Sequence, residues 1–309
     1  MVVIPAFNEE KTIATVIGAI PRDALDEVQV LVIDDGSADG TVSQAKRAGA
    51  DRVISFDRNR GLAVAFRKGL EEALSMGADI VVNIDADGQY ESKEIPSLIR
   101  PIVEGYADLV LGSRFKGWIE DMPVGKRIGN LLATKATSVA SGLAISDSQT
   151  GFRAFSREAA LKLNILSDYT YVQETIIQAA RKGLRIVEVP CIFRKREGRS
   201  RLISSIFDYA WRAGLTVLRT YRDYKPLRAF LFIGGLLFSL GVIIGLRVLI
   251  HFFVTGTVTP YLPSAVLTAV LLIVGFQVIV LGLIADMIGG NRRLMEEILY
   301  KLRKRELEE

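Results

Sequence analysis

The sequence predicts an α/β domain on a mostly parallel, Rossmann-like sheet, followed by an amphipathic helix and a two-helix transmembrane hairpin. Three observations carry that expectation. Over residues 1–202, short runs rich in Val and Ile alternate with stretches of helical periodicity, as strands joined by crossover helices do. Two long uncharged apolar stretches follow, at 229–246 and 260–285. Lysines and arginines crowd the chain on either side of them, from Arg181 to Arg228 and from Arg292 to Arg305.

In chain order, the strand candidates are Val2–Ile4, Val28–Ile33, Arg52–Phe56, Ile80–Ile84, Leu109–Gly112 and Arg185–Phe193. The helix candidates between and after them are Lys11–Ile20, Thr41–Ala48, Ala63–Met76, Pro96–Glu104, Arg127–Ser141 and Gln173–Lys182. A sheet of this kind is covered on both faces and binds ligands beyond the carboxyl ends of its strands. Neither a GxGxxG nor a GxxxxGK[ST] phosphate loop occurs, and no internal repeat is visible.

Next, residues 203–226 form the expected amphipathic helix. Ile206, Phe207, Ala210, Trp211, Gly214, Leu218 and Tyr221 recur at helical spacing beside Asp208, Arg212, Arg219 and Arg222, which suits a helix lying in a membrane interface. The hairpin occupies 227–288, with spans at about 229–250 and 262–285 and a turn from His251 to Pro263. A helix from Ala229 to Arg247 rises about 27 Å, close to a hydrocarbon core. Arg247 then falls where its side chain reaches the far interface. Residues 289–309 make a basic tail. Basic residues flank both outer ends of the hairpin and are absent from 248–291, so everything before Tyr224 is expected on the cytoplasmic side of the cell membrane. The opening MVVIPAFNEE reads as a strand, not a secretory leader. Basic clusters that bracket apolar stretches point to a bilayer partner and away from nucleic acid. Two spans give little anchorage, which is compatible with a homo-oligomer and leaves the oligomeric state open.

Composition narrows the chemistry. The chain has 309 residues, 50% hydrophobic and 24% charged, with mean hydropathy +0.28 and an isoelectric point of about 9.1. Disorder, collagen-like repeats and a small disulfide scaffold are excluded. Cys191 is the only cysteine and His251 the only histidine. An intrachain disulfide and a Cys-rich zinc site are therefore impossible, and histidine-based catalysis would rest on one residue. What remains is work by carboxylates, arginines, backbone amides or a metal on oxygen ligands.

The sharpest chemical signal is NIDADGQY, residues 83–90. An apolar strand delivers Asp85 and Asp87 at its carboxyl end, and residues i and i+2 of an extended chain point to the same side. Both carboxylates can then share a hard cation such as Mg²⁺ or Mn²⁺, with Gln89 as a further oxygen ligand. A D-x-D alone is common, and its bland reading is a solvated turn.

Its surroundings are more specific. VVIPAFNEE, VLVIDDGSADGT and NRGLAVAFRKGL precede it in order. Together these segments resemble the family 2 glycosyltransferases of GT-A fold, and the likeness covers residues 1 to about 200. GSRF (112–115), DSQTGFRAF (147–155), ETIIQAARKGLRIVEVP (174–190) and EGRSRL (197–202) are similar to the polyprenyl-phosphate branch. That branch holds dolichyl-phosphate mannose synthases and dolichyl- or undecaprenyl-phosphate glucosyl- and N-acetylglucosaminyltransferases.

The resemblance implies roles at matching positions. Pro5, Phe7, Glu9, Val32 and Asp34 would frame the base and ribose of a nucleotide-sugar donor. Asp85, Ala86, Asp87 and Gln89 would surround the metal and diphosphate. Arg114 and Arg127 would face the phosphate of a polyprenyl phosphate acceptor, and Arg153 would sit at the reaction centre. The basic segment from Lys195 through Arg196 to Arg201 would close over the nucleotide. It reads K-R-E-G-R-S-R in place of R-E-x-G-x-S-K, which leaves open whether Lys195 or Arg196 takes the first basic role. Phe7 stands where Tyr is frequent and lacks its hydroxyl. The activity implied is inverting transfer of a hexose to the lipid phosphate, whose anionic oxygen needs no general base. Rival readings are a processive polysaccharide synthase, which usually carries a Q-x-x-R-W motif absent here, and a catalytically silent membrane scaffold.

Overall fold

The computed structural model describes residues 1–23, 25–165, 171–195 and 226–307. Arg196, Arg201 and the expected amphipathic helix, up to residue 225, lie outside the described residues. The chain divides into two compact units, Met1–Gly214 with Ile298–Glu309, and Leu215–Glu297.

The first unit is built on a seven-stranded sheet. Its strands are β1 (Val2–Ala6), β2 (Val30–Asp34), β3 (Arg52–Ser55), β4 (Ile80–Asn83), β5 (Leu109–Ile119), β6 (Arg153–Ser156) and β7 (Ile186–Phe193), in the order β3-β2-β1-β4-β6-β5-β7. β3, β2, β1 and β4 run parallel, as do β5 and β7, while β6 lies antiparallel between β4 and β5. Seven helices accompany it among the described residues: α1 (Ile13–Gly18), α2 (Thr41–Arg47), α3 (Leu62–Ser75), α4 (Ile95–Val103), α5 (Val124–Ser141), α6 (Arg157–Lys162) and α7 (Val172–Arg181). Strand alternation sends Val3, Leu31, Ile33 and Val81 to a core shared with α3, α6 and α7. Val2, Ile4, Val30, Val32 and Val82 face the opposite core with α1 and α4. A sheet buried on both faces needs apolar side chains in both directions, hence the unbroken Val30–Ile33 run.

Three features depart from the expected elements. β6 and α6 are additions: the strand is four residues long and begins with an arginine, so neither length nor pattern announces it. β5 runs seven residues past Gly112, through Ile119, because β7 pairs with it on both sides of an irregularity between Ser113 and Trp118. α5 starts at Val124 and not at Arg127, immediately after Pro123, whose fixed φ suits a helix start.

The second unit holds two helices, α8 (Pro226–Thr255) and α9 (Leu262–Glu306), each long and apolar enough to cross a membrane. Small residues let them approach closely. A Cβ at Gly234 would lie 2.8 Å from the Gly275 carbonyl, and one at Gly245 would lie 2.8 Å from the Thr268 methyl. Arg247 stacks its guanidinium 4.8 Å from the centre of the Tyr261 ring, beside the connection between the helices. α9 continues as helix through the basic segment.

Candidate active site

The carboxyl ends of β1, β2 and β4 converge on the loops that carry the expected site residues. β1 runs out at Ala6 and the chain turns at Asn8, which adopts a left-handed φ of 54°, a region asparagine tolerates better than most residues. There its Oδ1 accepts from Ala38 N at 2.8 Å, and its own N donates to Ser37 Oγ at 2.9 Å. Glu9 N donates to Thr41 Oγ1 at 2.9 Å. These bonds fasten the β1 loop to the β2 loop. Thr12 Oγ1 donates to the Ala86 carbonyl at 2.7 Å and so ties the same loop to the aspartate segment.

Within that frame Pro5 is buried in β1, and Phe7 and Glu9 are half-buried. Asp34 ends β2 and accepts from Ser37 N at 3.1 Å. Its neighbour Asp35 accepts from Arg60 N and Gly61 N at 2.7 and 2.9 Å, fixing the entry to α3. Val32 is wholly enclosed in the core against Ile4 and Val30. Its side chain packs the sheet and offers no surface to a base.

Asp85 and Asp87 follow β4, half-buried, with Ala86 buried between them. Asp87 Oδ1 accepts from Gln89 N at 3.1 Å and closes the turn. Gln89 is pinned to the chain beyond β7, donating Nε2 to the Arg194 carbonyl at 3.1 Å. The segment 147–152 lies against Asp85 at Gly151. So tight is the approach that a Cβ at Gly151 would sit 2.4 Å from Asp85 Oδ2. Tyr90 Oη accepts from Gly151 N at 3.1 Å, and Asn83 Nδ2 donates to the Gly151 carbonyl at 2.7 Å and to Tyr171 Oη at 2.8 Å. The donor set is hard oxygen, which suits Mg²⁺ or Mn²⁺. No group of three or more His, Cys, Asp or Glu side chains converges among the described residues. Two carboxylates, with the remaining positions left to substrate phosphates and water, are what Mg²⁺ commonly takes from a protein.

The arginines occupy different layers. Arg114 is 3% exposed and forms a bidentate pair with Asp147, Nε to Oδ2 at 2.7 Å and NH2 to Oδ1 at 2.8 Å. Burial opposes its charge, yet Tyr90 and Asp147 outweigh that and hold its pKa above the ordinary guanidinium value. Asp147 is set in turn by Glu188 of β7, which accepts from Asp147 N at 3.0 Å and Ser146 N at 2.9 Å. Arg153 is 0% exposed. Its guanidinium donates to the carbonyls of Thr150, Val172 and Ser148 and to Thr175 Oγ1, at 2.6–2.9 Å. Desolvation pushes its pKa down to about 10. It therefore braces the 148–152 segment from beneath. Arg127, in the first turn of α5, is exposed, and so is Lys195. Asn83, Tyr90, Asp147, Tyr171 and Glu188 are organising residues that local sequence does not single out.

The amino-terminal part, residues 1–163, matches the model of the glycosyl transferase family 2. Glycosyltransferase AglJ of Haloferax volcanii is 31% identical, over 94% of this chain and 94% of its own. The UDP-N-acetylglucosamine–dolichyl-phosphate N-acetylglucosaminyltransferase of Methanococcus voltae is 34% identical, over 61% of this chain and 82% of its own. Among solved structures, glucosyl-3-phosphoglycerate synthase from Mycobacterium tuberculosis, in complex with Mn²⁺, UDP and phosphoglyceric acid, superposes with a TM-score of 0.56 at 26% identity. That match covers 72% of this chain and 77% of the other. With the family model spanning more than half of its length and a relative matching it nearly end to end, this chain belongs to glycosyl transferase family 2 and is a glycosyltransferase.

Proposed function

We propose that the protein transfers a hexose from a UDP-sugar to a polyprenyl phosphate at the cytoplasmic face of a membrane, with inversion at the anomeric carbon. The observation that carries this reading is the pair Asp85 and Asp87 just after β4, with Asp85 pressed against Gly151, in a chain that also bears two apolar helices. The name of the M. voltae relative and the UDP-bound mycobacterial structure support the donor class. The basic residues on the outer ends of α8 and α9 support the orientation.

Asp85 and Asp87 would hold a divalent cation, whose charge would neutralise the diphosphate leaving group. The loop of Phe7 and Glu9 and the end of β2 at Asp34 flank the nucleotide, and Lys195 lies at its outer edge. Arg127 screens the acceptor phosphate; a guanidinium suits planar, bidentate phosphate recognition. Arg153 acts as a positioning residue, because its guanidinium is enclosed and Nε, NH1 and NH2 all donate to the protein, while Arg114 is held against Asp147 through Nε and NH2. The acceptor phosphate is anionic near neutral pH and attacks without a general base, which accords with the single histidine lying far along the chain in α8.

A donor screen tests the proposal. Full-length protein in lipid nanodiscs is supplied with Mg²⁺ or Mn²⁺, a polyprenyl phosphate, and labelled UDP-glucose, UDP-N-acetylglucosamine or GDP-mannose. Label from a UDP-sugar should enter an acid-labile lipid. Transfer from GDP-mannose alone would overturn the donor assignment, and nucleotide binding without any lipid product would overturn the acceptor.

A further inference from the structure

α5 is an inverted amphipathic helix. The residues it turns to the protein are Gly129, Asn130, Ala133, Thr134 and Thr137, all small or polar. Those it turns outward are Val124, Ile128, Leu131, Leu132 and Val139, with Val124 73%, Leu132 61% and Val139 63% exposed. An ordinary helix on an α/β domain hides its apolar stripe. Here the spacing is helical and the apolar stripe is the exposed one. Arg127 and Lys135 share the outward face, Lys126 is half-exposed, and no acidic residue occurs between Val124 and Ser141. Trp118, a few residues earlier in the chain, is also exposed.

The inner face of the same helix supports the site. Ser148 N donates to Thr134 Oγ1 at 3.0 Å, and the two hydroxyls of these residues lie 3.2 Å apart. In the first turn, the Lys126 ammonium stands 5.7 Å from the centre of the Phe193 ring, and the Arg114 guanidinium stands 5.1 Å from the same ring centre. A single helix thus backs the 148–152 segment on one side and bares leucine, isoleucine and valine on the other.

We propose that the outer face of α5 is a membrane-contact surface, seated in the interfacial zone of an anionic bilayer. Apolar side chains interleaved with Lys and Arg, without acidic residues, match that zone: the aliphatic groups enter the acyl boundary while the cations stay with lipid phosphates. The charge complementarity selects lipid over a neutral protein partner, and the same chain carries α8 and α9, each long and apolar enough to cross a bilayer. The inference does not depend on which sugar or acceptor is used. Its consequence is that Arg127, on this face, lies in the plane of the lipid headgroups.

Depth measurement by spin labelling decides it. Single cysteines replace Ile128, Leu132 and Val139, with Lys46→Cys on α2 as the exposed control, in full-length protein in nanodiscs containing anionic lipid. Cys191 is buried and desolvation pushes its thiol pKa up to about 12, so it stays unlabelled. Labels on α5 should read about 5–10 Å below the phosphate plane, by oxygen against water-soluble nickel relaxation, and the Lys46 label should read as aqueous. Aqueous readings on α5 would overturn the proposal. Shielding from both relaxants would also overturn it, and would show that protein covers this face, either residues 196–225 or a second copy. Since no turnover enters the readout, failure here is distinct from failure of the proposed reaction.

Discussion

At the scale of single residues, the site depends on how closely Gly151 approaches Asp85. The 2.4 Å that a Cβ would leave to Asp85 Oδ2 is well inside van der Waals contact, so Gly151→Ala must displace the carboxylate or the 148–152 segment. Misplacing a reacting group by about 1 Å costs on the order of 10²-fold in rate. Steady-state kinetics should show a loss of that order in a protein that still unfolds cooperatively; unchanged turnover would remove the contact from the mechanism. The Arg114–Asp147 pair makes a different demand. Asp147→Asn leaves a guanidinium buried without its counter-charge, and breaking such a pair costs about 3–5 kcal/mol. Denaturant unfolding should register it, and a loss below about 1 kcal/mol, the range of exposed pairs, would contradict the burial described. The placement of Asp85, Asp87 and Gln89 just beyond a strand end was legible because an apolar strand and a glycine turn bracket them. Asp147 was not, since its partner lies 33 residues away and no local pattern joins them. Arg153 reads in sequence as an available cation; only the fold shows its donors occupied.

At the scale of elements, β5 and β7 bind the two halves of the site, for β5 carries Arg114 and β7 carries Glu188. They approach closely at Gly117, where a Cβ would meet the Cys191 carbonyl oxygen at 2.0 Å. Gly117→Ala therefore forces two backbones apart. We expect a loss of at least about 1–3 kcal/mol, as for other overpacked positions, read by thermal unfolding. Wild-type stability would mean the strands do not pair through this position. Parallel strands β1, β2 and β4 and helices α3 and α7 were legible because long apolar runs and 3.6-residue periodicity coincide there. β6 was not, being four residues long with Arg153 at its head. α5 was legible as a helix, but nothing in its periodicity tells which way its apolar stripe faces; that depends on what the neighbouring strands and loops present to it.

At the scale of the whole molecule, α9 serves both units. Its apolar part belongs to the second, while Ile298–Glu309 belongs with the catalytic unit. There Tyr300 Oη donates to Glu158 Oε1 at 2.8 Å, and Arg303 donates to Asn164 Oδ1 at 2.8 Å. Tyr300 and Leu307 pack against the core beneath α6. The basic tail is thus a structural part of the catalytic unit. Tyr300→Phe should cost about 0.5–1.5 kcal/mol in thermal unfolding of that unit, and no change would show that the hydrogen bond is not formed. The apolar spans were legible from hydropathy alone, whereas the return of the tail to α6 was not, because its basic residues read equally well as a solvated end.

The most direct test of the central claim is a metal titration of sugar transfer. Full-length wild type and Asp87→Asn, each in nanodiscs with polyprenyl phosphate and labelled UDP-sugar, are assayed across Mn²⁺ concentration after treatment with a chelator. The account predicts that lipid-linked label appears in the wild type only as metal is restored, and that Asp87→Asn stays near background at every concentration. Transfer that persists without metal, or an Asp87→Asn variant that matches the wild type, would contradict it.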